Sequence, residues 1–202
     1  MSIYFVTGIS TEVGKTMASA ILVEALNADY WKPIQSGDLE FCDTQKVKKL
    51  ISNPVSNFHH NAYALKTPMS PHASADIDDI TIDINKIKTP TTKNHLVIEG
   101  AGGLLVPLNN EHTILDLIQP NYKVILVSRH YLGSINHTLL SINLLKEKGF
   151  EVSVIFSGDA HPSTESIIKK MTNVQVIGRI DNEPYFDQNV IKEYAEKFKD
   201  QL

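Results

Sequence analysis

The sequence predicts an α/β fold, a doubly wound and mostly parallel sheet with helices on both faces, and three observations carry that prediction. Six short apolar runs, rich in β-branched residues and bounded by turn residues, read as buried strands: Tyr4–Thr7, Asp29–Lys32, His95–Glu99, Lys123–Ser128, Val152–Phe156 and Val174–Ile177. Helical patterns separate most of them, and such alternation implies right-handed crossovers and parallel pairing. No Pro/Gly/Ser-rich linker interrupts the 202 residues, so a single domain spanning 1–202 is expected. In a sheet of this kind ligands gather at the carboxyl ends of the strands.

The first run leads directly into Gly8-Ile9-Ser10-Thr11-Glu12-Val13-Gly14-Lys15-Thr16, a glycine-rich loop ending in Gly-Lys-Thr that is one residue longer between its glycines than the G-x-x-x-x-G-K-[ST] pattern. Its glycines let backbone N–H groups turn onto phosphate oxygens, Lys15 supplies a point charge for the β and γ phosphates, and the Thr16 hydroxyl is a ligand for Mg²⁺. The apolar stretch Met17–Leu26 then reads as a largely buried helix whose positive end faces the same anion. Together these features define a P-loop NTPase type of sheet that binds a nucleoside triphosphate.

The second strand ends in Trp31-Lys32-Pro33-Ile34-Gln35-Ser36-Gly37, beside the phosphate loop. There Lys32 is placed to meet a γ-phosphate or an anionic acceptor and Ser36 to orient that acceptor, although a strand-end lysine is often merely solvated. Asp43 either completes a metal shell or simply caps a helix. Residues 53–92 carry several prolines and a weak pattern, and are expected to be irregular around a short helix. The third strand delivers an acid at its end and then breaks into glycines, in Glu99-Gly100-Ala101-Gly102-Gly103. A carboxylate there holds Mg²⁺ directly or through water, and the small residues admit a phosphoryl group. After the fourth strand, Ile135–Lys148 reads as a helix with Ser134 as its N-cap and Gly149 as its stop.

Composition removes other classes of function. A formal charge of −4, with lysines scattered among acids, offers no basic field for nucleic acid. One cysteine, Cys42, excludes a disulfide framework and a multi-cysteine zinc site and fits a reducing compartment. No apolar run reaches membrane-spanning length, and the chain enters a strand with no basic leader, so a soluble cytoplasmic protein without membrane contact is expected.

The phosphate loop, Lys32-Pro33 with Ser36-Gly37, Asp43, Ser70-Pro71-His72, the Glu99–Gly103 stretch and Leu132-Gly133-Ser134-Ile135-Asn136-His137 together resemble the dethiobiotin synthase family in order and spacing up to about residue 150. Beyond that point the likeness lies in the order of strands and helices. The resemblance implies an ATP-dependent cyclo-ligase that takes 7,8-diaminopelargonate and CO₂ (or bicarbonate) to dethiobiotin through a carbamate that ATP phosphorylates. It further implies that Lys32 and Lys15 are catalytic, and that Thr16, Asp43 and Glu99 hold Mg²⁺. Glu12, Val13, Gly14, Lys15, Thr16 and Met17 would wrap the phosphates, with Gly100, Ala101 and Gly102 beside them. Thr11, Ser36 and Gly102 would line the diamine site. Leu132, Ser134 and Asn136, at a helix start with free N–H groups, would grip the substrate carboxylate from the partner subunit of a homodimer that shares its active sites. No role is assigned to His72.

The chain departs from the family pattern where the nucleobase is read. Ser157-Gly158-Asp159 stands where an Asn-Asp pair is usual, and Asp181-Asn182-Glu183 stands where a proline is usual. Weaker base selectivity follows as an expectation, with Asp181, Asn182 and Glu183 as nucleotide contacts. Two other readings stay open at this level. A small-molecule kinase would want lid arginines, of which this chain has only Arg129 and Arg179. A partition-type regulatory ATPase usually carries an extra lysine early in the loop, where this chain has Ile9-Ser10-Thr11.

Overall fold

A computed structural model describes residues 1–202. All six predicted strands form: β1 (Ile3–Gly8), β2 (Asp29–Trp31), β6 (Leu96–Gly103), β7 (Lys123–Arg129), β8 (Glu151–Ser157) and β9 (Gln175–Ile180). Three short strands were not legible in the sequence, namely β3 (Ile34–Ser36), β4 (Phe58–His59) and β5 (Tyr63–Leu65). A two- or three-residue strand shows no periodicity of its own and exists only through its partner. The main sheet has seven strands in the order β4-β2-β6-β1-β7-β8-β9, and β3 pairs with β5 in a small second sheet. Every pairing in both sheets is parallel.

Parallel strands bury both faces, which explains why the runs are continuously apolar. Successive residues point to opposite sides, so Tyr4, Val6, Ile125, Val127 and Ile155 enter one core while Phe5, Val124, Leu126, Val154 and Phe156 enter the other. The first core is closed by α1 (Lys15–Leu26), α2 (Asp43–Leu50) and α6 (Gln188–Phe198), through residues such as Ile21, Val47 and Ile191. The second is closed by α3 (Pro71–Ile77), α4 (Ser134–Glu147) and α5 (Pro162–Thr172), through Ala75, Ile142 and Ile168.

Some expectations need correction. The third strand does not break at its glycines, because β6 continues to Gly103, which pairs with Gly8 of β1 after a register shift. Without side chains the two backbones close on each other, and a Cβ on Gly103 would lie 3.2 Å from the Gly8 carbonyl oxygen. Helix α4 begins one residue early: Gly133, at φ 102°, is the N-cap and Ser134 the first helical residue, with its side chain buried. Asp43 likewise opens α2 as its first residue, while Cys42 occupies the cap position. No helix is long and apolar enough to cross a membrane.

Candidate functional site

Strand β1 lies between β6 and β7, and the chain leaves it toward β2 on one side and builds β7, β8 and β9 on the other. The carboxyl end of β1 is therefore the switch point at which such sheets bind ligands, and the phosphate loop starts there. Gly14 takes φ 94° as the N-cap of α1, and a Cβ at that position would stand 2.9 Å from the Ser157 hydroxyl. The loop is thus wedged against the end of β8, where only a glycine fits. A cleft of about 720 Å³ opens over it, bounded by the loop, the ends of β2 and β6, the start of α2 and the segment 68–71.

Five predicted side chains converge in this cleft. Thr16 Oγ1 donates to Glu99 Oε1 at 2.9 Å, and Lys32 Nζ donates to the same oxygen at 3.1 Å. Lys32 Nζ also pairs with Asp43 Oδ2 at 2.5 Å. Lys15 Nζ donates to the Ser10 carbonyl at 3.1 Å, curling back over its own loop. These groups meet because Lys32 and Glu99 leave the ends of adjacent parallel strands, while Thr16 and Asp43 sit in the first turns of α1 and α2.

Burial of charge governs the electrostatics. Burial pushes Lys15 down to about 8, an effect that the nearby Lys32 charge reinforces and that Glu99 and Asp43 only partly oppose. Lys32 is also buried, yet the Glu99 and Asp43 carboxylates outweigh that penalty and raise it above the ordinary lysine value. Asp43 moves the other way, since Lys32 and Lys46 overcome the cost of burial and hold it below the usual aspartate range. Lys32 is thereby kept charged between two carboxylates, while Lys15, lowered to about 8, gives up its proton far more readily than an ordinary lysine.

The oxygen set formed by the Thr16 hydroxyl, Glu99 and Asp43 consists of hard donors, and an ammonium already satisfies both carboxylates at one point. That chemistry fits Mg²⁺, which prefers one or two carboxylates with waters and phosphate oxygens to a closed protein cage.

Other predicted residues fall as follows. Thr11, Glu12, Met17, Ser36, Ala101 and Gly102 line the cleft. The Ser36 hydroxyl is buried there with no partner in the chain, as a group awaiting a ligand would be. Val13 and Gly100 do not line it. The Val13 side chain belongs to the core, and a Cβ on Gly100 would press on Phe5 and Ile114, so these two offer only backbone. Leu132, Ser134 and Asn136 are also outside this chain's own cleft. They start α4 next to a second groove, of about 730 Å³, that runs from the phosphate loop past residues 103–107 to α4. Asp181, Asn182 and Glu183 follow β9, three strands from β1. The Asp181 carboxylate accepts from Arg179 at 2.7 Å and Glu183 accepts from Tyr194 at 2.6 Å, which leaves only the Asn182 side chain uncommitted.

Sequence reasoning missed Lys46, Arg129 and Tyr30. Lys46 lies one helical turn from Asp43 and bonds it at 3.3 Å, a spacing visible in the sequence. Arg129 ends β7 and reaches the Glu12 carbonyl, and its place at a strand end was an available signal. Tyr30 gave none, because it reads as one more core residue, yet its hydroxyl donates to Glu99 Oε2 at 2.9 Å.

A family model described as an AAA domain matches residues 3–190. Among curated proteins, the chain is similar to the ATP-dependent dethiobiotin synthetase of Christiangramia forsetii, 64% identical over 98% of this chain and 97% of that protein. It is also similar to those of Cytophaga hutchinsonii, at 46% identity over 99% and 98%, and Brucella anthropi, at 42% over 94% and 91%. Among solved structures, a plasmid partition protein of Borrelia burgdorferi bound to AMPPNP aligns with TM-score 0.58 at 12% identity, covering 100% of this chain and 99% of that one. The MinC:MinD complex of Aquifex aeolicus gives TM-score 0.57 at 15% identity, covering 96% and 86%. At that identity the structural likeness speaks for the P-loop fold alone and does not favour a partition-type ATPase.

Proposed function

Because the chain belongs to the ATP-dependent dethiobiotin synthetase family, we propose that it carboxylates 7,8-diaminopelargonate and closes the cyclic urea of dethiobiotin at the expense of ATP. The observation that carries this reading is the Lys32 ammonium, buried between Asp43 and Glu99 beside the phosphate loop. One amine of the substrate adds CO₂ to give a carbamate. A carbamate oxygen attacks the γ-phosphorus, the bond to the β-bridging oxygen breaks and ADP leaves. The second amine then attacks the carbamoyl carbon, the C–O bond to phosphate breaks, and inorganic phosphate departs as the ring closes.

The attack brings two anions together, so positioning and charge neutralisation dominate catalysis. Lys32 is the group assigned to the carbamate oxygen and the migrating phosphoryl group. Lys15 neutralises the β and γ phosphates, and the backbone of Glu12–Met17 wraps them. Thr16, Asp43 and Glu99 would hold Mg²⁺, which when bound supplies further positive charge to the phosphate oxygens. Ser36, Thr11 and Gly102 border the space left for the diamine.

The tail of the substrate is assigned to the partner subunit of a homodimer, through the start of α4 at Leu132, Ser134 and Asn136. Supporting this, Leu105 and Leu140 are exposed in the lining of the second groove, and Leu132, just before α4, is fully exposed. The 181–183 segment would lie at the base, with selectivity relaxed toward CTP or GTP. We place the enzyme in the cytoplasm as one domain. The test is mass-spectrometric detection of dethiobiotin from diaminopelargonate, bicarbonate, MgATP and purified protein. Phosphate release that ignores the diamine would refute the assignment.

A further inference from the structure

We infer that Tyr30 is a positioning residue that sets the orientation of the Glu99 carboxylate, and that cation binding at Glu99 depends on its hydroxyl. The inference rests on the reading of Glu99 as a cation ligand given above. Strands β2 and β6 pair in register, with Tyr30 opposite Val97. Residues two apart share a face, so Glu99 lies on the Tyr30 side and one step nearer the carboxyl edge. A phenol is long enough to cover that step, and its oxygen ends 2.9 Å from Glu99 Oε2. Glu99 Oε2 is the only partner that the Tyr30 hydroxyl has, and no other group donates to that oxygen.

This bond matters because a terminal carboxylate torsion is broad and roughly two-fold, so the side chain alone does not select a plane. Tyr30 is fully buried and Glu99 nearly so, leaving no water to compete for the position. With Oε2 tied back, Oε1 is the oxygen that faces Thr16 and Lys32 in the cleft. The ring itself is held by packing, tilted against Phe58 at a centroid distance of 6.0 Å and surrounded by the core on the α1 side. The hydroxyl thus acts on the reaction only through Glu99, as an outer-shell partner acts through a metal ligand.

The test uses the full chain with ADP and Mn²⁺, following formation of the ternary complex by electron paramagnetic resonance. Tyr30→Phe removes one oxygen and preserves shape, and is expected to weaken Mn²⁺ binding about tenfold. In turnover it raises the half-saturating Mg²⁺ concentration and leaves KM for the diamine unchanged. Mn²⁺ affinity within twofold of the parent, with only thermal stability altered, overturns the inference. Glu99→Gln is run alongside. If it too leaves Mn²⁺ binding intact, the reading of Glu99 as a cation ligand fails first; if it weakens binding while Tyr30→Phe does not, only the role of Tyr30 fails. Should Tyr30→Phe not fold, Tyr30→Leu is the second variant that lacks the hydroxyl, and Mn²⁺ affinity within twofold of the parent in that variant likewise overturns the inference.

Discussion

Lys15 is held at about 8 by burial, and nucleotide binding must therefore be coupled to proton uptake. At pH 8 roughly half of the free protein carries a neutral Lys15, at pH 6.5 only about 3% does, and at pH 9 about nine-tenths does. A bound triphosphate adds several negative charges next to the ammonium and raises its pKa well above 8. Nucleotide binding should then take up about half a proton at pH 8 and almost none at pH 6.5. Affinity should fall about tenfold between pH 7 and pH 9, a range clear of phosphate's own titration near pH 6. The same shift acts on folding with the opposite sign to an ordinary lysine pair. The folded pKa lies below the unfolded value of 10.5, so keeping Lys15 charged below pH 8 costs about 3 kcal/mol, and ligand-free stability rises as pH goes from about 8 to about 10.5. Calorimetric titration with Mg²⁺ and a non-hydrolysable ATP analogue, in buffers of different ionisation enthalpy, reads the proton count directly. Lys15→Met should abolish it. Heats independent of buffer at pH 8, or an affinity flat from pH 7 to pH 9, would refute the reasoning.

Lys32→Met should lower kcat by about 10²–10³-fold with KM for ATP changed less than threefold, since its charge matters most as the phosphoryl group moves; steady-state phosphate release checks this. The same variant leaves Asp43 and Glu99 without their shared counter-ion, and thermal unfolding should show a loss of about 3 kcal/mol. Asp29 is buried, but hydrogen bonds from Thr92, Asn57 and Asn94 overcome that penalty and hold it at about 2. Its stabilising contribution is complete above about pH 4 and disappears as pH falls through about 2, and Asp29→Asn should flatten the acid limb of a urea-unfolding series over that window. Leu140→Glu, on the exposed rim of the second groove, should convert a dimer to a monomer in analytical ultracentrifugation and depress activity at low protein concentration; an unchanged sedimentation coefficient counts against that face.

Much of the site was legible in sequence because it obeys local rules. Gly8 to Thr16 specifies its own conformation, so Gly14 adopts its positive φ and Lys15 and Thr16 follow at the start of α1. Glu99 and Lys32 were recognisable as strand-end polar residues against apolar runs, and both do reach the cleft. The short strands β3, β4 and β5 were not legible, because two or three residues gain their hydrogen bonds only from a partner far along the chain. The roles of individual loop residues were equally hidden. Val13 and Gly100 stand inside motif segments, yet the Val13 side chain packs into the core and a side chain on Gly100 would press on Phe5 and Ile114, so each presents only backbone.

Taken alone, the sequence determined the order of the six predicted strands and the phosphate loop, since these depend on residue type and spacing within short windows, and its resemblance to a family supplied the chemistry. Only the tertiary structure decided which oxygen of Glu99 faces the cleft, that Lys32 bridges two carboxylates, and that Tyr30 belongs to the site. Those facts join residues 30, 32, 43 and 99 across adjacent strands and a helix, and a contact of that kind exists only once parallel pairing has set the register.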